Sequence, residues 1–390
     1  MRIATVVGTR PQLIKAAALQ PALRARHTDV FIDTGQHYDE SMAGTFFSEL
    51  GLARPDHSLG ISGGGHADQT GRMLIALEPI LAAERPDAVL VFGDTNSTMA
   101  GAIAAAKLGL PIAHVEAGLR SFDRAMPEEI NRVVADHLAT WNFAPTPTAV
   151  ANLRAEGIRE RIWLVGDLMQ DLVARIAPEV ADPAILAPIA TGRMGARAAK
   201  VSLQPGRYLL ATIHRAENRE PAAIRLWSAL LAAVARPDRP VVLAIHPGTR
   251  AAMSAAGVTL GPNVRAIEPL GYRASIAAQL HAAAVLTDSG GLQREAAWLG
   301  VPCLVLRATT EWVETVAESN GRTVVVGLDA ARAVQELERL APIDQSAELA
   351  AHRAATVRIE PAGAAERISE VLAEESARGG APVSAAGDRS

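Results

Sequence analysis

Short runs of β-branched and apolar residues recur along this chain. Each is followed by a Gly- or Pro-containing turn and then by a longer Ala/Leu-rich stretch with helical spacing. In the first half the runs are Ile3–Val7, Val30–Asp33, Ala88–Phe92 and Ile112–Val115. In the second they are Tyr208–Ile213, Val241–Ile245, Ala284–Thr287 and Cys303–Leu306. The runs are apolar at successive positions, so both faces of each strand need covering. Parallel sheets with helices on both sides meet that need. Two such blocks in 390 residues predict an α/β fold of two Rossmann-like, doubly wound domains. The first domain is expected at 1–168 and the second at 169–358, with a less patterned stretch at Ala187–Gln204. The spacing of Ala364, Ile368 and Leu372 predicts a last helix at 359–375 that packs back on the first domain. A tail at 376–390, rich in Ala, Gly and Ser, is expected to be disordered.

Composition narrows the function classes. A formal net charge of −4 argues against binding nucleic acid by bulk electrostatics. Cys303 is the single cysteine, so no intramolecular disulfide forms. The opening Met-Arg-Ile-Ala-Thr-Val-Val reads as a strand, without the apolar core and cleavage site of a signal peptide. No apolar run approaches the roughly 18 residues of a membrane span. The expectation is a cytoplasmic protein with neither a nucleic-acid nor a membrane partner.

In open parallel sheets a ligand sits beyond the carboxyl ends of the strands. The residues there are unusually polar. Gly8-Thr9-Arg10-Pro11 follows the first strand and opens a helix, with Pro11 suited to its first position. Free backbone N–H groups there favour an anion, which Arg10 could grip through its planar fork; a plain turn with a solvated arginine is the competing reading. Asp288-Ser289-Gly290-Gly291 repeats the layout, and Glu295 follows about one helical turn later. A carboxylate at Glu295 could take both hydroxyls of a ribose. One such turn per block favours a nucleotide diphosphate over two unrelated glycine-rich turns.

Asp94, Glu116, Glu128 and Glu129 follow successive strands of the first block, where charge is rarely left without a partner or a task. For one of Glu128 and Glu129 the first turn of a helix explains the charge without any function. His214 and His246 end strands of the second block, and for His246 alone a structural role is the better reading. Zinc fits poorly: the chain has no His-Glu-x-x-His, and one cysteine cannot build a thiolate site. Neither Gly-x-Gly-x-x-Gly after the first strand nor Gly-x-x-x-x-Gly-Lys-Ser/Thr is present, so neither a nicotinamide cofactor nor a P-loop nucleotidase is expected.

At these residues the chain resembles the non-hydrolysing UDP-N-acetylglucosamine 2-epimerases. The segments that carry the resemblance are Gly8-Thr9-Arg10-Pro11, Thr34-Gly35-Gln36-His37, Gly93-Asp94-Thr95 and His114-Val115-Glu116-Ala117-Gly118-Leu119-Arg120-Ser121, then Pro127-Glu128-Glu129-Ile130-Asn131-Arg132, His214-Arg215-Ala216-Glu217-Asn218 and Asp288-Ser289-Gly290-Gly291. They stand in order over most of the chain. The resemblance implies the glycosyltransferase-B type of fold with the active site in the interdomain cleft. It also implies interconversion of UDP-N-acetylglucosamine and UDP-N-acetylmannosamine with no cofactor and no metal, through elimination and re-addition of UDP by way of 2-acetamidoglucal.

Carried over, Asp94, Glu116 and Glu128 are the proton-transfer candidates, with His214 assisting. Arg10, Lys15, Arg132, His246, Tyr272, Ser289, Gly290, Gly291 and Glu295 form the expected substrate-binding set. Gln36, His37 and Gln69 match an effector site for a second UDP-sugar, although Asp39 and Asp68 stand where a Gln and an Arg are expected. The family also implies a homodimer. Three departures resemble instead a branch that epimerises UDP-2,3-diacetamido-2,3-dideoxy-glucuronate. These are Gln12 for the commoner Glu, Thr310-Glu311-Trp312-Val313-Glu314 for Thr-Glu-Arg-Pro-Glu, and Gly166-Asp167-Leu168-Met169-Gln170-Asp171 for a Gly-Asn pattern. A hydrolysing 2-epimerase, a glycosyltransferase and an inactive nucleotide-sugar sensor are the other readings.

Overall fold

Runs of Val, Ile, Leu and Ala with no polar alternation become strands buried on both faces. In β1 (Arg2–Val7) only Arg2 reaches solvent, while β4 (Ala88–Phe92) and β5 (Ile112–Val115) are buried throughout. The computed structural model describes residues 1–36, 47, 49–189 and 203–378. The chain divides into two compact units, one of Met1–Leu172 with the chain from Pro361, the other of Val173–Glu360.

The first unit is built on a seven-stranded sheet in the order β3-β2-β1-β4-β5-β6-β7. The added strands are β2 (Thr28–Asp33), β3 (His57–Ser58), β6 (Trp141–Ala144) and β7 (Ile162–Leu164), and every pairing is parallel. Its helices include α1 (Arg10–Arg26), α2 (His66–Glu84), α3 (Asn96–Lys107), α4 (Pro127–Leu138), α5 (Pro147–Ala155) and α6 (Leu168–Ile176). Met73, Leu77 and Leu81 of α2 and the alanines of α3 pack on Ala4, Val6, Val89 and Val91. Small residues let α3 lie close to the sheet: a Cβ on Gly101 would meet a Val91 methyl at 2.9 Å.

The second unit has a six-stranded sheet in the order β10-β9-β8-β11-β12-β13, again with every pairing parallel. Its strands are β8 (Leu209–Thr212), β9 (Val241–Ala244), β10 (Val264–Ile267), β11 (Ala284–Thr287), β12 (Cys303–Val305) and β13 (Thr323–Val325). Its principal helices are α7 (Pro221–Val234), α8 (Pro247–Ala255), α9 (Tyr272–Leu280), α10 (Gly290–Trp298), α11 (Val313–Glu318), α12 (Ala330–Leu340) and α13 (Ile343–Thr356). Trp227 of α7 is fully buried in a cluster with Leu209, Leu243 and Leu286. Both sheets grow outward in two directions from their first strand. That order places a switch point between β1 and β4 in one unit and between β8 and β11 in the other, where such sheets take ligands. The chain is α/β, with two Rossmann-like units on the plan of the glycosyltransferase-B class.

Sequence periodicity missed β3, β6, β7, β10 and β13, which are short or carry polar residues. It also put Pro11 first in its helix; α1 begins at Arg10 with Thr9 as its cap. The last helix, α14 (Ala364–Ala377), runs past residue 375 into the stretch expected to be disordered. Glu375 is held there by the Trp141 indole N–H at 3.1 Å. Residues 379–390, and 190–202 of the less patterned stretch, lie outside the described residues. α14 packs on α1, with Ile368 and Leu372 fully buried and Ser369 Oγ donating to the Ala22 carbonyl at 2.8 Å. Asp171 of α6 caps its start, accepting from the N–H groups of Gly363 at 2.8 Å and Ala365 at 3.0 Å. Among the described residues, no helix is long and apolar enough to cross a membrane.

Candidate active site

The turns after β1 and β4 flank the first switch point. Gly8 is dictated by crowding, since a Cβ there would lie 2.1 Å from Thr34 Oγ1 and 2.2 Å from Ser97 Oγ. The expectation of free N–H groups in this turn is corrected. Gln12 Oε1 accepts from the backbone N–H of Gly8 at 2.9 Å and of Thr9 at 3.2 Å, so those donors are already used. Gln12 Nε2 donates onward to the Phe92 carbonyl at 2.8 Å and Thr98 Oγ1 at 2.9 Å, tying the two turns together. Arg10 is half-buried at the first residue of α1.

Asp94, Glu116, Glu128, Lys15 and Arg132 come together at the ends of β4 and β5. Arg132 Nη2 reaches Asp94 Oδ2 at 2.6 Å, and Lys15 Nζ pairs with Glu116. The Glu116 carboxylate lies against Gly93, where a Cβ would meet its Oε2 at 2.9 Å. Burial holds the Asp94 carboxyl above the ordinary carboxylate range; Arg132 and Lys15 oppose the shift, and the charges of Glu116 and Glu128 reinforce it. Its side chain is 31% exposed, so solvent tempers the effect. Glu116 has φ +71, a strained value for a side chain with a Cβ and one that tends to be kept for function.

Glu128 and Glu129, adjacent on the first turn of α4, sit in different surroundings. Glu129 is buried and accepts from Ser121 N at 2.9 Å, Ser121 Oγ at 2.8 Å and Phe122 N at 3.1 Å. Burial works to raise its carboxyl, but the Ser121 hydrogen bonds and Arg132 prevail and hold it below the ordinary range. Glu128, on the first turn of α4, is exposed and close enough to act on the charge of Asp94.

The effector-site candidates are structurally engaged. Gln36 Oε1 accepts from Ser97 N at 3.0 Å and Ser97 Oγ at 2.7 Å, and Gln69 Oε1 accepts from Asn96 Nδ2 at 2.8 Å. Both therefore hold the start of α3. His37 and Asp39 lie outside the described residues.

In the second unit, Asp288 at the end of β11 organises the turn after β8. Its carboxylate accepts from the backbone N–H groups of His214 and Arg215 at 3.0 and 2.9 Å and from Asn218 Nδ2 at 2.9 Å. His214 Nδ1 lies 3.2 Å from the same carboxylate, and the ring is 46% exposed, open to a ligand. Burial alone would raise the Asp288 carboxyl; the bonds from His214 and Asn218 hold it below the ordinary range. Ser289 caps α10, its Oγ accepting from Leu292 N at 3.4 Å. Gly290 has no room for a Cβ, which would meet Trp312 Nε1 at 2.8 Å and Glu311 Oε1 at 2.9 Å. Gly291 follows it in α10, where Glu295 is buried and accepts from Gln279 Nε2 at 2.6 Å. Tyr272 is buried at the start of α9, and His246 caps α8, its Nδ1 accepting from Gly248 N at 3.1 Å.

Sequence reading missed the supporting polar residues. Asp136 of α4 lies outside every motif segment, while Asn131 and Glu311 stand inside such segments without a role assigned; Glu311 pairs with Arg215 at 3.0 Å and Arg307 at 2.6 Å. One signal was available: Glu128, Arg132 and Asp136 recur every fourth residue, so they share one helix face.

The sequence profile of the UDP-N-acetylglucosamine 2-epimerase family matches residues 22–373. The UDP-2,3-diacetamido-2,3-dideoxy-D-glucuronate 2-epimerase of Pseudomonas aeruginosa is 43% identical over 84% of this chain and 88% of its own length. The UDP-N-acetylglucosamine 2-epimerase of Methanococcus maripaludis is 42% identical over 81% of this chain and 85% of its own. The crystal structure of Methanocaldococcus jannaschii UDP-GlcNAc 2-epimerase with UDP-GlcNAc and UDP covers 96% of this chain and all of that one, at 36% identity and a TM-score of 0.77. This chain belongs to the UDP-N-acetylglucosamine 2-epimerase family.

Proposed function

We propose that the protein epimerises C2 of a UDP-2-acetamido sugar without hydrolysing it, interconverting UDP-N-acetylglucosamine and UDP-N-acetylmannosamine. The observation that carries the reading is the cluster of Asp94, Glu116 and Glu128 with Lys15 and Arg132 beyond adjacent strand ends. The C2 hydrogen has no neighbouring carbonyl, so simple proton exchange is closed to it. One carboxylate takes the C2 proton while the C1–O bond to UDP breaks, and the C–H electrons become the C1=C2 bond of 2-acetamidoglucal. UDP then adds back through its phosphate oxygen at C1 as a second acid delivers a proton to the other face of C2. Family membership and the solved UDP-GlcNAc complex of a relative support this reading. In it Asp94, Glu116 and Glu128 share the proton transfers, and His214 assists. Arg10, Lys15, Arg132, His246, Tyr272 and the turn Ser289-Gly290-Gly291 hold the UDP-sugar and stabilise charge on the departing diphosphate. Glu295 holds the ribose.

Incubation with UDP-N-acetylglucosamine in deuterium oxide, followed by NMR, tests it. Deuterium at C2 and a UDP-N-acetylmannosamine fraction without added NAD or metal are expected. Strict dependence on NAD would sink the elimination route, and stoichiometric free N-acetylmannosamine would favour hydrolysis. The 43% identity to the Pseudomonas enzyme favours a second substrate reading, a UDP-2,3-diacetamido-glucuronate sugar, so both sugars belong in the assay. The same proposal has a cytoplasmic homodimer, which cell fractionation and light scattering test.

A further inference from the structure

Glu116 and Asp94 stand on turns that ordinary strand ends do not make. Glu116 N–H and Ala117 N–H both donate to the Phe143 carbonyl, at 3.0 and 3.1 Å, and Gly118 has φ +82. Glycine adopts such a φ freely, but at Glu116 the left-handed backbone costs energy that surrounding contacts must offset. Those contacts converge on His114, Asp136 and Arg120, whose side chains are fully buried. His114 Nδ1 lies 2.7 Å from Asp136 Oδ1, and Arg120 Nη1 lies 2.7 Å from Asp136 Oδ2. Arg120 also grips Glu156 at 2.6 and 2.7 Å. Burying such a group without use is costly.

The other contacts of the cluster give it a use. His114 Nε2 faces the Gly93 carbonyl at 2.8 Å, one residue before Asp94. Asp136 Oδ2 accepts from Gly118 N at 3.1 Å, two residues after Glu116. A carboxylate thus faces one ring nitrogen of His114 and a carbonyl the other. Asp136 therefore touches one turn directly and the other through His114. It sits on α4, which also supplies Asn131 to the Asp94 carbonyl at 2.8 Å and Arg132 to the Asp94 carboxylate.

We propose that His114, Asp136 and Arg120 are positioning residues that set the spacing between Asp94 and Glu116 by clamping both turns to α4. The proposal rests on the reading that those carboxylates handle the C2 proton. The clamp touches backbone only and leaves the reacting atoms to the carboxylates. A displacement of about 1 Å at such groups costs on the order of 10²-fold in rate.

The test compares His114→Asn with His114→Gln. Asparagine places its amide nitrogen near Nδ1, keeping the Asp136 contact and losing Gly93; glutamine places it near Nε2 and keeps Gly93. Folding is followed by urea denaturation, UDP binding by calorimetry, and turnover by C2 deuterium exchange. Each variant severs the bridge from Gly93 to Asp136, so both are expected to bind UDP normally and lose about 10²-fold in kcat. Asp136→Ala added to His114→Asn should cost more again, because Asp136 also holds the Gly118 N–H directly. If Asp136→Ala does not fold, the two His114 variants still decide. A folded His114→Asn or His114→Gln with wild-type turnover overturns the clamp. Asp94→Asn and Glu116→Gln serve as controls. If they turn over normally, the functional reading falls and the clamp with it; if they fail while His114→Asn does not, the clamp alone falls.

Discussion

Arg132 reaches Asp94 at 2.6 Å with one guanidinium nitrogen and Glu129 at 2.8 Å with another, so one cation serves a candidate acid–base group and its structural neighbour. Burial raises the Asp94 carboxyl and Arg132 opposes that rise. If Asp94 must be ionised to take the proton, kcat/KM falls as pH drops through its raised value, above the about 3.9 of a free Asp. Arg132→Leu removes the opposing cation and is expected to move this acid limb up by about one pH unit or more. Arg132→Lys keeps a charge and should move it less. A pH–rate profile whose acid limb stays still in Arg132→Leu would show that another group sets it.

Adjacent glutamates of α4 should separate cleanly. Glu128 is exposed, so Glu128→Gln is expected to leave stability within about 0.5 kcal/mol and cut turnover by roughly 10²-fold. Glu129→Gln puts an amide among Ser121, Phe122 and Arg132 and should cost about 1–3 kcal/mol in urea unfolding at pH 7. The Glu129 carboxyl is depressed in the folded state, so its contribution is present above about pH 4.3 and is lost as pH falls through the folded value. The gap between wild type and Glu129→Gln should therefore narrow in acid. A gap constant with pH would count against an ionic role.

Gln12 donates to the Phe92 carbonyl and accepts from two backbone N–H groups at once, which a carboxylate cannot do. Gln12→Glu is expected to cost about 1–3 kcal/mol near pH 7.5, because an ionised oxygen then faces the carbonyl. The introduced carboxyl can donate only when protonated, so its folded pKa is raised. The deficit should shrink toward low pH and grow as pH rises through that raised value. Urea unfolding of both proteins at pH 5 and 7.5 measures it, and an equal deficit at the two pH values would refute the assignment.

The effector question turns on Gln36 and Gln69. Asp68, which stands where an Arg is expected, is answered by Arg72 with Nη2 at 2.8 Å. Both glutamine carbonyl oxygens are committed to Ser97 and Asn96. Epimerisation starting from UDP-N-acetylmannosamine alone is expected to begin without a lag. A lag at early times that a trace of UDP-N-acetylglucosamine abolishes would show a working effector site.

The strand runs and the motifs that follow them were legible because buried parallel strands need continuous apolar sequence and ligands sit at the carboxyl ends of those strands. Val89–Phe92 and Asp94 illustrate both halves of that rule: apolar until the sheet stops, then charged. Short strands such as β3 and β13 were illegible, since two or three residues at a sheet edge carry no period. The division between Glu128 and Glu129 was also beyond the sequence. Both are chemically identical first-turn glutamates, and only the course of the Ser121–Phe122 loop decides which one is buried. Sequence by itself determined two parallel α/β units and a set of acids and cations at strand ends, because both follow from local pattern. Only the tertiary structure decided which side chains support others: Gln12 across to Phe92, Asp136 to His114 and Gly118, Asp288 to His214. Those pairs are tens of residues apart or on different elements, and a hydrogen bond between them exists only once the strands have aligned.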